Sequence, residues 1–265
     1  NALVSSAANQ WNSATVFLSA LGSLDIKGGT VQNIAANGVT IRSYSLNSAS
    51  INISGGTLGA PNGTAIYNEE TGKITISGNA VVTGANSNSS KGIIYLAKGN
   101  EKNTILEITG GIVQNTDTSA SGRAIYNNAS GDIKISNGTV DSAGGTGIFV
   151  GDGTIGTIII PSGTPIIKAG TMAMNKAPDL SGYTLVRVLA STFPDGTGAA
   201  ELPPEALAGQ ITDYKYLEFV PVTPPGAPTL LTAEPGDKQL TLTWAAPILT
   251  GGSPITGYEY SVNDG

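Results

Sequence analysis

Catalysis by side chains needs groups that titrate, ligate metals or attack, and this chain is short of them. Its 265 residues contain no histidine and no cysteine. That removes the commonest general base, the commonest metal ligand and the thiolate nucleophile together. Carboxylates remain, and a pair held about 5 to 10 Å apart cleaves glycosidic bonds. Asp25 and Glu107 fall in matching positions of a repeat, but neutral Asn52 and Thr75 intervene. Glu69 and Glu70 adjoin in sequence, which on a strand directs them to opposite faces. Eliminative cleavage of a polysaccharide wants a calcium-binding carboxylate cluster and an arginine base. The chain's arginines are Arg42, Arg123 and Arg187, and none adjoins an acidic pair. Asp152-Gly153-Thr154 and Asp195-Gly196-Thr197 read as turns, and nothing matches the nonapeptide calcium repeat. The expectation is a chain with no catalytic residues, no metal and no cofactor, and so not an enzyme.

Aromatic residues form the one pattern that points to binding. Between Gly22 and Met172 they are Tyr44, Tyr67, Tyr95, Tyr126 and Phe149. The last four share one position of a repeated segment: Ala65-Ile66-Tyr67-Asn68, Ile93-Ile94-Tyr95-Leu96, Ala124-Ile125-Tyr126-Asn127 and Gly147-Ile148-Phe149-Val150. Tyr44 lies two places past that position, beyond Arg42. Stacked strands would set these rings about 4.8 Å apart. With Ile66, Ile94, Ile125 and Ile148 in the core, the rings face outward as a flat platform on which sugar rings stack. With Ala65, Ile93, Ala124 and Gly147 outward, the rings instead fill the core. Exposing the isoleucines forgoes roughly 1.5 to 3 kcal/mol each, which favours the outward ladder. Tyr67, Tyr95, Tyr126, Phe149, Tyr44 and Arg42 are therefore the candidate ligand-binding set, with a polysaccharide or cell-wall glycan as the expected partner. Cross-strand packing alone also produces such ladders.

The elements that position these residues are repeats. A β-branched or leucine triplet followed by small residues recurs as Leu24-Asp25-Ile26, Ile51-Asn52-Ile53, Ile74-Thr75-Ile76, Leu106-Glu107-Ile108, Ile133-Lys134-Ile135 and Ile158-Ile159-Ile160. Steps of 23 to 32 residues between the last isoleucines mean stacked supersecondary units. Alternation sends two apolar side chains inward and one, mostly polar, outward. Gly-Gly and Asn-Gly pairs supply positive-φ corners. The reading is a right-handed parallel β-helix of about six rungs over residues 22–172, in an all-β fold. Its insertions concentrate at one corner, where Gly84 to Ser90 form a polar loop. Residues 1–21 are expected to cap one end, with Trp11, Ala14, Phe17, Leu18 and Leu21 at helical spacing. Residues 173–222 are expected to cap the other with strands at 183–189 and 214–220, separated by a loop at Pro203-Pro204.

Pro221 to Gly226 read as a stiff linker. Beyond it, Pro225-Gly226-Ala227-Pro228, the strand Leu240-Thr241-Leu242-Thr243-Trp244, and Pro254-Ile255-Thr256-Gly257-Tyr258-Glu259-Tyr260 resemble the fibronectin type III family. The resemblance spans about 40 residues and implies a partial β-sandwich over 223–265, since a whole domain has seven strands. The solenoid resembles those of bacterial surface proteins, and the wider fold includes pectate lyases and polygalacturonases. Together these resemblances imply an extracellular, cell-surface or cell-wall location and an adhesion or carbohydrate-binding module. A structural spacer and a polysaccharide lyase or hydrolase are the alternatives.

Composition agrees with a folded β protein. Charged residues are 12% and hydrophobic residues 40%, with 36 glycines, the reverse of a disordered chain. The net charge of −6, with no basic cluster, argues against nucleic acid. No run is long enough to span a bilayer, and a monomer is expected.

Overall fold

The computed structural model describes residues 2–9, 14–19, 22–44, 49–69, 72–97, 104–183, 186–248, 250–251 and 254–259. Parallel strands stack on three faces into a β-solenoid of about six turns. The first face carries Ser23–Ile26, Ser50–Ile53, Ile74–Ile76, the opening halves of Thr104–Asn115 and Asp132–Ser142, and Ile158–Ile159. The second runs from Leu3–Ser6 through Thr30–Asn33, Thr57–Ala60 and Val81–Gly84 to Ile166–Ala169. The third runs from Ala14–Leu18 through Val39–Ser43, Thr64–Asn68, Ile94–Leu96, Arg123–Asn127 and Thr146–Val150 to Met172–Met174.

Register follows the repeat. Ile26, Ile53, Ile76, Ile108 and Ile135 pair in succession, and the last four are completely buried. Between the two apolar files of that face stand the outward residues Asp25, Asn52, Thr75, Glu107 and Lys134. The positive-φ corners are where the glycine pairs place them: Gly29, Gly56, Gly78, Gly111, Gly138 and Gly163 all have φ between +57° and +90°.

Two expectations for the ends are corrected. The segment read at helical spacing is strand where described: Ala14–Leu18 pairs in parallel with Val39–Ser43, Val16 opposite Ile41 and Phe17 opposite Arg42. Ala14, Val16 and Leu18 alternate as strand residues do, and that period prevails because a ready edge offers backbone partners. Trp11 and Leu21 lie outside the described residues. Between Val186–Ser191 and Tyr216–Pro221, the chain forms a short helix, Pro204–Gln210, with proline in its first turn where its missing N–H costs nothing. Tyr216–Pro221 lies antiparallel against Ile166–Ala169, the last strand of the second face. The amides of Ala169 and Ala173 donate to Lys215 and Tyr214.

Candidate aromatic–cation ladder

The third face presents the candidate residues. Tyr67, Tyr95, Tyr126 and Phe149 pair in direct register, and Arg42 and Phe17 occupy the same position in the two preceding layers. Ile66, Ile94, Ile125 and Ile148 are fully buried while the rings are half-buried, so the column faces outward. Ala65, Ile93 and Ala124 are buried as well. Alternation fails there because the chain turns a corner: the Ile93 carbonyl accepts from the amides of both Ala65 and Ile66. The two orientations weighed from sequence were therefore not strict opposites.

The rings do not make a flat platform. Their centroids are 5.0, 5.3 and 5.4 Å apart, but the interplanar angles are 62°, 50° and 82°. Ring quadrupoles explain the tilt, since edge-to-face contact is preferred over a face-to-face sandwich. Cations fill the remaining faces. Arg42 lies 5.4 Å from the Tyr67 centroid and 5.9 Å from that of Tyr44. The Lys91 ammonium is 5.5 Å from Tyr67, and Arg123 is 3.5 Å from Phe149 and 4.4 Å from Tyr126, all within cation–π range.

Arg42 is buried and ion-paired with Glu69 at 2.7 Å, so that acid is committed to the fold. Glu70 lies outside the described residues. Burial, and then the Glu69 carboxylate, push the Tyr67 phenol up to about 12. Burial also raises Tyr95, against a hydrogen bond with Asn128, and lowers Arg123. Gly151 makes room beside the column, since a Cβ there would sit 3.2 Å from the Tyr126 ring and hydroxyl.

Sequence reasoning missed Phe17, Lys91, Arg123 and Asn128 as members of this surface. Arg123 and Lys91 stand three and four residues before their ring positions, a spacing that was legible. Phe17 was hidden by its helical reading. Tyr44 is exposed at the margin, with Arg42 over its ring. The corner at Gly84 to Ser90 is partly structural: Asn86 is buried, donating to Thr64 and accepting from Asn88.

The acids behave differently. Glu107 is held by Lys73 at 2.6 Å and Lys134 at 3.5 Å, which keep its carboxyl below the usual range. Asp25 stands three layers away, about 14 Å at the strand spacing, and accepts a hydrogen bond from Asn52. Asp152-Gly153-Thr154 and Asp195-Gly196-Thr197 are glycine turns closed by their own threonines. Among the described residues no group of three potential ligands gathers for a metal ion.

Comparison with known proteins returns no matching family model, no similar curated protein and no similar solved structure.

Proposed function

We propose that the solenoid is a non-catalytic binding module of an extracellular bacterial surface protein, taking a polymeric glycan along its third face. One observation carries the reading: four half-buried rings in consecutive layers, facing out, bracketed by cations. A repeated ligand matches a repeated surface, one sugar face for each layer or two. The separation of Asp25 from Glu107 and the commitment of Glu69 to Arg42 support the non-catalytic part. The antiparallel hairpin Thr229–Gly236 and Gln239–Ala245, with Trp244 edge-on to Tyr258 at 5.2 Å, supports reading the end of the chain as the opening of a fibronectin-type sandwich. Residues 173–222 are read as a cap. Among the described residues no helix is long and apolar enough to cross a membrane.

A spacer role is the second reading. Edge-to-face pairs and cation–π contacts contribute on the order of 1 kcal/mol each without any ligand, so the column stabilises the rod in either case. A glycan array probed with the whole chain separates the two readings, with the Tyr95→Ala/Tyr126→Ala double variant as the control. The expected result is glycan retention by the native chain, abolished in a variant that still folds, with a melting temperature lowered by roughly 10 degrees for the four ring contacts removed. An array with no retained glycan leaves the spacer. New reducing ends or unsaturated products from the retained glycan would establish an enzyme instead.

A further inference from the structure

The charges along the ladder specify a ligand more narrowly than the rings do, and this step rests on the glycan-binding reading above. The chain carries −6 overall, yet the ladder is cationic. Off the ladder, Lys73, Lys134, Lys168 and Arg187 each meet a carboxylate within 4.0 Å, while Lys27, Lys176, Lys215 and Lys238 stand apart from any ring of the column. Beside the rings, Glu69 neutralises Arg42. Lys91 and Arg123 have no carboxylate at that distance among the described residues.

These two cations are also placed for contact. Arg123 is partly desolvated and rests 3.5 Å from the Phe149 centroid, a face-contact distance that leaves in-plane N–H donors for a planar anion. Lys91 lies at the level of Tyr67, two to three layers along, or roughly 10 to 14 Å at the strand spacing. Tyr95 and Tyr126 lie between them. We infer that the ladder takes a polyanionic glycan, whose carboxylate or sulfate groups meet Lys91 and Arg123 while its sugars lie against Tyr95 and Tyr126. Lys91 and Arg123 join an unpaired charge to a neighbouring ring, and against the negative charge of the whole chain that pairing sets both the site and the orientation of approach.

The test is affinity electrophoresis of the whole chain through gels carrying charge-matched polymers: polygalacturonate against its methyl ester, and dextran sulfate against dextran. At an ionic strength of about 0.01 M the charged member of at least one pair retards the protein and its neutral partner does not. At about 1 M, where charges are screened beyond ~3 Å, the retardation disappears. Which pair responds tells carboxylate from sulfate. Lys91→Ala and Arg123→Gln each weaken retardation about tenfold, the loss of one charge-assisted contact. Lys27→Ala, at an exposed lysine off the ladder, leaves it unchanged. Melting curves confirm that the variants fold, and Lys91, next to the exposed residues 87–90, gives the safer one. Equal retardation by charged and neutral members overturns the polyanion while leaving the glycan reading intact. Charged polymers that retard the native chain and both ladder variants alike place the anion elsewhere and overturn it too. No retardation by any polymer overturns both readings.

Discussion

Tyr67 sits where the forces on the third face converge. Lys91 and Arg42 both lie within 6 Å of its ring centroid, Tyr95 is its neighbour at 5.0 Å, and the Glu69 carboxylate adjoins its hydroxyl. Burial disfavours the phenolate most, Glu69 adds to it, and the Arg42 charge offsets only part, leaving the phenol at about 12 against an ordinary 10.0. The direction has a consequence for stability. A phenol that holds its proton more tightly when folded contributes stability fully present below pH 10, and that contribution fades as pH rises from 10 to 12. An absorbance titration of the nine tyrosines is expected to show a late phase containing Tyr67 and Tyr216, whose phenol also stands at about 12. Tyr67→Phe removes part of that late phase and flattens the loss of stability between pH 10 and 12. A late phase left intact by the substitution, with the lost amplitude falling near pH 10 instead, would mean that Tyr67 is as hydrated as a free phenol, and the column looser than its geometry.

Where one layer meets the next, glycine decides how closely coils approach. A Cβ on Gly145 would lie 1.7 Å from the Gly122 carbonyl oxygen of the preceding layer, while one on Gly153, at φ +78°, would meet open space. The two positions separate backbone contact from backbone conformation. Gly153→Ala is expected to cost on the order of 1 kcal/mol, the penalty of a left-handed alanine. Gly145→Ala must push two coils apart, and a cost above about 4 kcal/mol is expected from urea unfolding. Equal costs at both sites would show that the corner yields freely. This corner also marks the limit of what could be read from sequence. The triplets and the positive-φ glycines were legible because each layer repeats the same residue types. Asn33, Asn115 and Asn127 were not, because each closes its own corner with a different set of backbone partners. Asn33 donates to Ala8 and Val39, Asn115 to Asn86 and Arg123, and Asn127 to Gly131. Of the site, the ring file was visible as a period. The tilt of the rings and the cations over them depend on contacts between layers that no single repeat displays.

For the molecule as a whole, burial divides the chain into two unequal parts. Among the described residues, those up to Phe219 supply the contiguous apolar core, while the hairpin of Thr229–Gly236 and Gln239–Ala245 is exposed along nearly its whole described length. Leu231 is 68% and Ile248 91% exposed, and Leu231, Leu242, Trp244 and Tyr258 line a shallow apolar cleft of about 430 Å³. An isolated two-stranded hairpin is marginal in water, so the solenoid must hold its own stability. A chain ending at Val222 is therefore expected to melt within a few degrees of the full 265 residues, with the same slow amide exchange at Ile53, Ile108 and Ile135. In the full chain, amides of 229–245 should exchange orders of magnitude faster than those three, because opening the hairpin exposes almost no new apolar surface. A large fall in melting temperature on truncation would mean that the hairpin packs against the rod and that its apolar face is already occupied. Slow exchange in the hairpin with an unchanged melting temperature would mean that it associates with another copy of itself, which a dilution series of the exchange rates would detect.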